Sequence, residues 1–409
     1  MKFPDLHLST FAAALLAAAC SIMPSHFTPR LTEPRLAPVD EANLTEAQRD
    51  MLGSRAPLNI YRTLANHVEL YNRWSPLGQV LLNNTSISPR HRELAMLRMG
   101  WLCQSPYEWA QHARIAKASA GLSDAEVLAI AAAPDNPAVW STIDRAVLKM
   151  SDELRYDAMI SDETWAALHV TYNDAQVMEL LFTSAQYQLV SMALNTLGVQ
   201  IEPTAVDFMP TGPDMPAPAT RPTTARLTAP RIVPLKPDAM TPEQRALVAS
   251  RIEPDGSLMN LYGTMVTNTR LYGPRLRFGS YIQRDGLLDP QTRELVILRT
   301  AWNLRTPYEW AHHAGPAATA GLSGAQIAAI ATGPSAPVWN AKQRAVLQAA
   351  DELRREAFIT EATWSRLAEF FSMKERIEIV FTAGGYMMTG LAINSFGIQT
   401  EPGYPHMPN

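Results

Sequence analysis

Cysteine is scarce: 409 residues hold only two, Cys20 and Cys103. Two thiols, one of them in an N-terminal apolar stretch, exclude a disulfide framework. Cys103 reads as a small buried hydrophobe, the usual fate of a free cysteine. An excess of one charge is also missing. Lys and Arg total 35 against 39 Asp and Glu, a net charge of −4, so there is no electrostatic case for nucleic acid. No convincing alternation of apolar and polar residues occurs, which argues against a sheet-built fold. Nor is there a Gly-rich phosphate loop, a G-x-S-x-G elbow or an H-E-x-x-H pair. The sequence thus lacks the signatures of a phosphate cradle, a serine hydrolase or a zinc site, and neither a metal nor a cofactor is expected.

What the chain does contain is a duplication. Arg92 to Ala113 reads RELAMLRMGWLCQSPYEWAQHA, and Arg293 to Ala314 reads RELVILRTAWNLRTPYEWAHHA. Thirteen of 22 positions are identical without a gap, where average composition gives roughly one or two. Leu94, Leu97 and Trp101 share one helical face, and Gln104 ends that helix. Ser105-Pro106-Tyr107-Glu108 then opens a second helix as N-cap, first position and S-x-x-E capping box. Thr306, Pro307 and Glu309 repeat those roles. Glu108 and His112 lie a turn apart on one face, as do Glu309 and His313.

These residues carry a resemblance. The stretch resembles the carboxymuconolactone decarboxylase and AhpD-like alkylhydroperoxidase superfamily, as two fused domains. The redox branch has the motif E-x11-C-x2-C-x3-H. On that spacing Glu93, Ser105, Glu108 and His112 take the motif places, and Glu294, Thr306, Glu309 and His313 take them in the second copy. Both cysteines are absent from both copies, so dithiol peroxidase chemistry is disfavoured, and Cys103 alone cannot form an intrachain couple. The pattern is similar to the decarboxylase-like branch, where a glutamate stands in the second cysteine's place. The resemblance implies an all-α fold of tandem AhpD-like domains arranged as a pseudo-dimer, and a cofactor-free lyase or isomerase acting on a small carboxylate- or lactone-bearing substrate. It also implies a homo-oligomer, a trimer of two-domain chains. A peroxidase-like activity and a non-catalytic helical binding protein are the rival readings.

Apolar pairing at three- and four-residue spacing runs through both halves, consistent with that class. Leu44 to Ser54 and Leu58 to Leu82 read as helices, the latter as one long stretch. Others run from Glu163 to His169 and from Ala175 to Leu197, with Gly198 and Gly397 as C-caps. The domains are residues 35–203 and 230–403, joined by a Pro-rich linker at 204–229. Residues 1–25 carry Lys2, an apolar run and Ala17-Ala18-Ala19-Cys20, the shape of a lipoprotein signal. Asp5 and the single lysine speak against it, and a non-native start or an Ala-rich arm is the alternative. A signal would place the protein in the periplasm or on a membrane through a lipid anchor at Cys20; otherwise it is cytoplasmic. No other segment reaches the roughly 20 apolar residues of a membrane span.

Each site residue has two readings. Glu108 and Glu309 are helix caps, or carboxylates kept charged by the helix N-terminus that act as a base or orient a histidine. His112 and His313 are core histidines, or proton carriers working near neutral pH. His312, which is Gln111 in the first copy, reads as incidental. Glu93 and Glu294 are helix-start charges, or, as the family match implies, pocket carboxylates that bond the histidine. Arg98 and Arg299 pair with a glutamate, or bind a substrate carboxylate bidentately. Tyr107 and Tyr308 pack, or line the pocket beside the substrate. Gly315-Pro316 replaces Arg114-Ile115 directly after the second histidine, which makes the first site the more regular of the two.

Overall fold

The computed structural model describes residues 30–205, 209–210 and 215–408. The expected signal and the anchor at Cys20 lie outside the described residues. Among those described, the regular elements are helices and no strand element occurs. Five longer helices build the first half: α1 (Val68–Asn83), α2 (Pro89–Leu102), α3 (Pro106–Ser119), α4 (Thr142–Tyr156) and α5 (Asp174–Leu197). Five repeat them in the second: α6 (Thr269–Ser280), α7 (Pro290–Leu304), α8 (Pro307–Thr319), α9 (Ala341–Glu356) and α10 (Met373–Phe396).

Local sequence starts these helices. Ser88 accepts the His91 N–H ahead of Pro89, and Asp289 accepts the Thr292 N–H ahead of Pro290. Asn173 and Ser372 open α5 and α10 with full capping boxes. Gly198 and Gly397 close them in the left-handed region, at φ 69° and 68°. α5 and α10 are buried along nearly their whole length and pack against each other at the centre. Their apolar surface runs almost all round, as a central helix requires. α10 is long and apolar enough to cross a membrane, but it is this core helix.

The halves meet through reciprocal contacts, as across a twofold axis. Arg155 donates to the Arg354 carbonyl and Arg354 to the Arg155 carbonyl, each at 2.6 Å. Asn195 donates to Ala357 O, and Asn394 to Ala158 O. α1 of one half packs on α6 of the other.

One expectation changes. The stretch 58–82 is not one helix but Asn59–Leu64, a turn at Ala65–His67, and α1. The break leaves His67 non-helical at φ −138° and brings its ring to Glu378 of the other half at 3.0 Å, a tertiary contact that local periodicity cannot register. Arginines at the end of the Pro-rich stretch and just after it make long-range contacts. Arg226 donates to the carbonyls of Leu304 and Arg305, and Arg231 to those of Ile160 and Ser395. Arg30-Leu31-Thr32 and Pro34-Arg35 recur as Arg226-Leu227-Thr228 and Pro230-Arg231, so the repeat begins before residues 35 and 230. Each arm crosses a C-capping glycine. A Cβ on Gly198 would fall 2.9 Å from Glu33 O, and one on Gly397 2.4 Å from Ala229 O, so both glycines serve close approach as well as a positive φ.

Candidate active site

The site begins at the turn between α2 and α3. Gln104 turns the chain at φ 51°, and Arg305 does the same at φ 50°. The Ser105 N–H donates to Gly100 O and the Thr306 N–H to Ala301 O, each at 2.9 Å. The expected capping boxes are therefore absent, since the N-cap amide each glutamate would accept is already bonded. Ser105 makes no side-chain cap, and its hydroxyl is buried without a partner. Thr306 makes no cap either, and its hydroxyl accepts from Asn394. Glu108 and Glu309 sit in the first helical turn for some other purpose.

In the first half, Glu108 turns to the histidine. His112 Nδ1 donates to Glu93 Oε2 at 2.7 Å, and His112 Nε2 lies 3.1 Å from Glu108 Oε1. All three residues are buried. Arg92 backs Glu93 at 3.0 Å. Burial works against a charged imidazole, but the Glu93 charge and the hydrogen bonds the ring donates to Glu108 and Glu93 prevail, raising His112 to about 10. Burial would raise Glu93, yet His112 and Arg92 hold it below the usual carboxylate range. At neutral pH the centre holds an imidazolium against the Glu93 carboxylate. The Tyr187 ring meets His112 edge-on at 4.7 Å. Glu108 and His112 line a cavity of about 130 Å³ with Tyr61, Trp74, Gln186 and Tyr187.

The second half repeats part of this. His313 Nδ1 donates to Glu294 Oε2 at 2.7 Å, and the Tyr386 ring stands edge-on at 5.0 Å. Glu309 departs. Both carboxyl oxygens are buried without a hydrogen-bond partner, and burial pushes it well above the usual carboxylate range, only partly opposed by Arg275. The helix N-terminus was expected to keep it charged; desolvation wins instead. Gly390 of α10 lies against its carboxyl. A Cβ on Gly390 would come within 3.0 Å of Glu309 Oε2, so the missing side chain leaves the space the carboxyl occupies. The matching place in α5 is Ser191. Glu309 and His313 line a cavity of about 580 Å³.

Arg98 and Arg299 do not reach either cavity. Arg98 pairs with Asp152 at 2.8 Å and donates to Ile130 O, and Arg299 pairs with Asp351 and donates to Ile330 O. They tie α2 to α4 and α7 to α9, which removes them from the substrate-binding set. Tyr107 and Tyr308 do line the cavities. Their hydroxyls donate to Glu202 at 2.7 Å and Glu401 at 3.3 Å. Gln111 bonds Glu202 and His312 bonds Glu401, so His312 fills the same place as its glutamine counterpart. Residue-level reading missed both acids, although Gln200-Ile201-Glu202-Pro203 and Gln399-Thr400-Glu401-Pro402 repeat visibly. It also missed Arg275, which lines the second cavity. No repeat could flag it, since the first copy has Trp74 there.

Burial pushes the Cys103 thiol up, against the pull of Arg155 and Arg30, the reverse of what a reactive thiol needs.

The family described as the carboxymuconolactone decarboxylase family matches twice, at residues 69–150 and 272–352. The first match holds Glu93, Glu108 and His112, and the second holds Glu294, Glu309 and His313. No curated protein matches the chain.

Proposed function

Because this chain belongs to the carboxymuconolactone decarboxylase family and carries two copies of its domain, we propose that it is a cofactor-free lyase or isomerase. It moves protons on a small carboxylate- or lactone-bearing substrate. The observation that carries this reading is His112, held at 2.7 Å by Glu93 and 3.1 Å by Glu108 beside a cavity.

For decarboxylation the bond to the substrate carboxyl carbon breaks and carbon dioxide leaves. The electron pair enters the neighbouring carbonyl or lactone as an enolate. The charged His112 imidazole gives its Nε2 proton to the enolate carbon and regains one from solvent. Glu93 fixes the ring through Nδ1, and Glu108 receives the other side. Retro-aldol cleavage and double-bond migration use the same groups.

The test is incubation with carboxymuconolactone and a panel of small β-keto acids in D2O. Carbon dioxide release, with one deuterium in the product, is expected from wild type and not from the His112→Ala/His313→Ala double variant. Equal activity of the double variant, or an inert wild type across the panel, overturns the reading. On the same family likeness we propose that three chains assemble. Light scattering should then give about three times the 45.1 kDa chain mass, and a monomer would refute it.

A further inference from the structure

The two cavities differ in more than size. The first is closed in by bulk: Trp74 and Gln186 stand where the second has Arg275 and Gly385. Gly385 matters for space, since a Cβ there would come within 2.8 Å of Ile282 and 3.0 Å of Phe278. The cavities also differ in charge. Arg114 is the single guanidinium lining the first. Arg251, Arg275, Arg284 and Arg293 all line the second.

Of these four, only Arg293 has a carboxylate partner among the described residues, Glu294 at 3.4 Å. Arg275 donates to the Thr389 hydroxyl at 3.2 Å and forms no ion pair with any described residue. Its Nε is buried without a partner. Thr389 stands where the first half has Val190, so the Arg275–Thr389 pair is particular to the second cavity. Glu309 lines the same cavity, but it forms no ion pair with Arg275, and both its carboxyl oxygens are buried without a hydrogen-bond partner. A partly buried guanidinium left without a counter-ion beside an open cavity is an unfavourable arrangement unless an anion arrives.

We propose that Arg275 is the specificity-determining residue of the second cavity, that it takes the carboxylate of an organic anion, and that the first cavity, with Trp74 in its place, does not bind that anion. This rests on the proton-transfer reading for its meaning but not for its test. The anion sits with its carboxylate on Arg275 and Thr389, and its remaining atoms lie towards Glu309 and His313. The chain then has two inequivalent sites, a wide one for an anion and a narrow one for a smaller ligand.

Isothermal titration of the full chain with benzoate and phthalate tests the assignment, with benzamide as the uncharged counterpart. One benzoate or phthalate per chain is expected, with benzamide at least about 10-fold weaker. Loss of a charge-assisted pair should weaken the anions by about 10–100-fold in Arg275→Leu. Arg275→Lys, which keeps the charge, should restore part of the loss, and circular dichroism of both variants checks that they fold. Trp74→Leu should leave anion binding unchanged. Two anions per chain, equal binding of benzamide, undiminished binding by a folded Arg275→Leu, or no anion binding by wild type would each overturn the proposal. Arg275-dependent binding in a chain that turns over nothing would leave the proposal standing and defeat the proton-transfer reading.

Discussion

The two halves hold the same glutamate, glutamate and histidine at the same spacing, yet they build different electrostatic centres. In the first, His112 is gripped from both sides and the centre is an ion-paired triad. In the second, His313 keeps only the grip of Glu294, and Glu309 sits without a hydrogen-bond partner, pushed well above the usual carboxylate range by burial, beside a cavity more than four times larger. Motif identity therefore does not set protonation state. What differs is the surroundings: burial and Arg275 act on Glu309, and glycine at 390 stands where the first half has serine at 191. Sequence regularity favoured the first site, but the structure gives the second the room and the unpaired cation.

The sharpest way to break the comparison is to run the sites one at a time. With His313→Ala silencing the second, Glu93→Gln should cut turnover by about 10²–10⁴-fold. With His112→Ala silencing the first, Glu294→Gln should do the same. If one background is already inactive before the glutamine is added, only the other site works, and steady-state rates decide which.

Stability separates the paired glutamates next. Glu108→Gln removes a charge facing His112 and should lower the Tm at pH 7. Glu309→Gln should raise it. The folded value of Glu309 lies above its unfolded one, so stability is greatest below about 4.5 and is lost as pH rises towards the folded value. The gain from Glu309→Gln should therefore appear at pH 7 and vanish at pH 4. A Tm decrease at pH 7 comparable to that of Glu108→Gln would mean that Glu309 is ionised after all.

A smaller effect follows from His112. Its folded value is raised, so its ion pairs stabilise fully below the unfolded value of 6.5, and the contribution is lost as pH climbs through about 10. Wild-type Tm should fall more steeply between pH 7 and 10 than that of His112→Asn. Parallel curves would sink the imidazolium assignment.

The smallest effect tests the turn. Ser105 caps nothing, so Ser105→Ala should stay within about 0.5 kcal/mol of wild type by urea unfolding. Ser123, a genuine capping-box serine, should cost about 1 kcal/mol on replacement by alanine. A cost at Ser105 equal to that at Ser123 would restore the capping reading of Glu108.

Much of the fold was legible in sequence because its signals are local. Ser88-Pro89, Asn173 and Gly198 act on backbone groups within four residues, and their helices start and stop where those residues stand. The duplication was legible for the same reason, and the offsets of Glu93 and His112 carried both residues to one place. The misreadings share one cause. Ser105-x-x-Glu108 fits a capping box by every local criterion, but the amide it would satisfy is taken by Gly100 O. Arg98 was matched to a glutamate or a ligand because Asp152, 54 residues away, is invisible to spacing.

Sequence alone thus determined most of the helices, the repeat and the two glutamates and histidine of each site, since these follow from periodicity, caps and identity at fixed offsets. Tertiary structure alone decided which charges those residues carry and how much space surrounds them. Desolvation and Coulomb energy depend on what lies within a few ångströms. For Glu309 those neighbours are Gly390 and Arg275, 81 residues ahead and 34 behind in the chain.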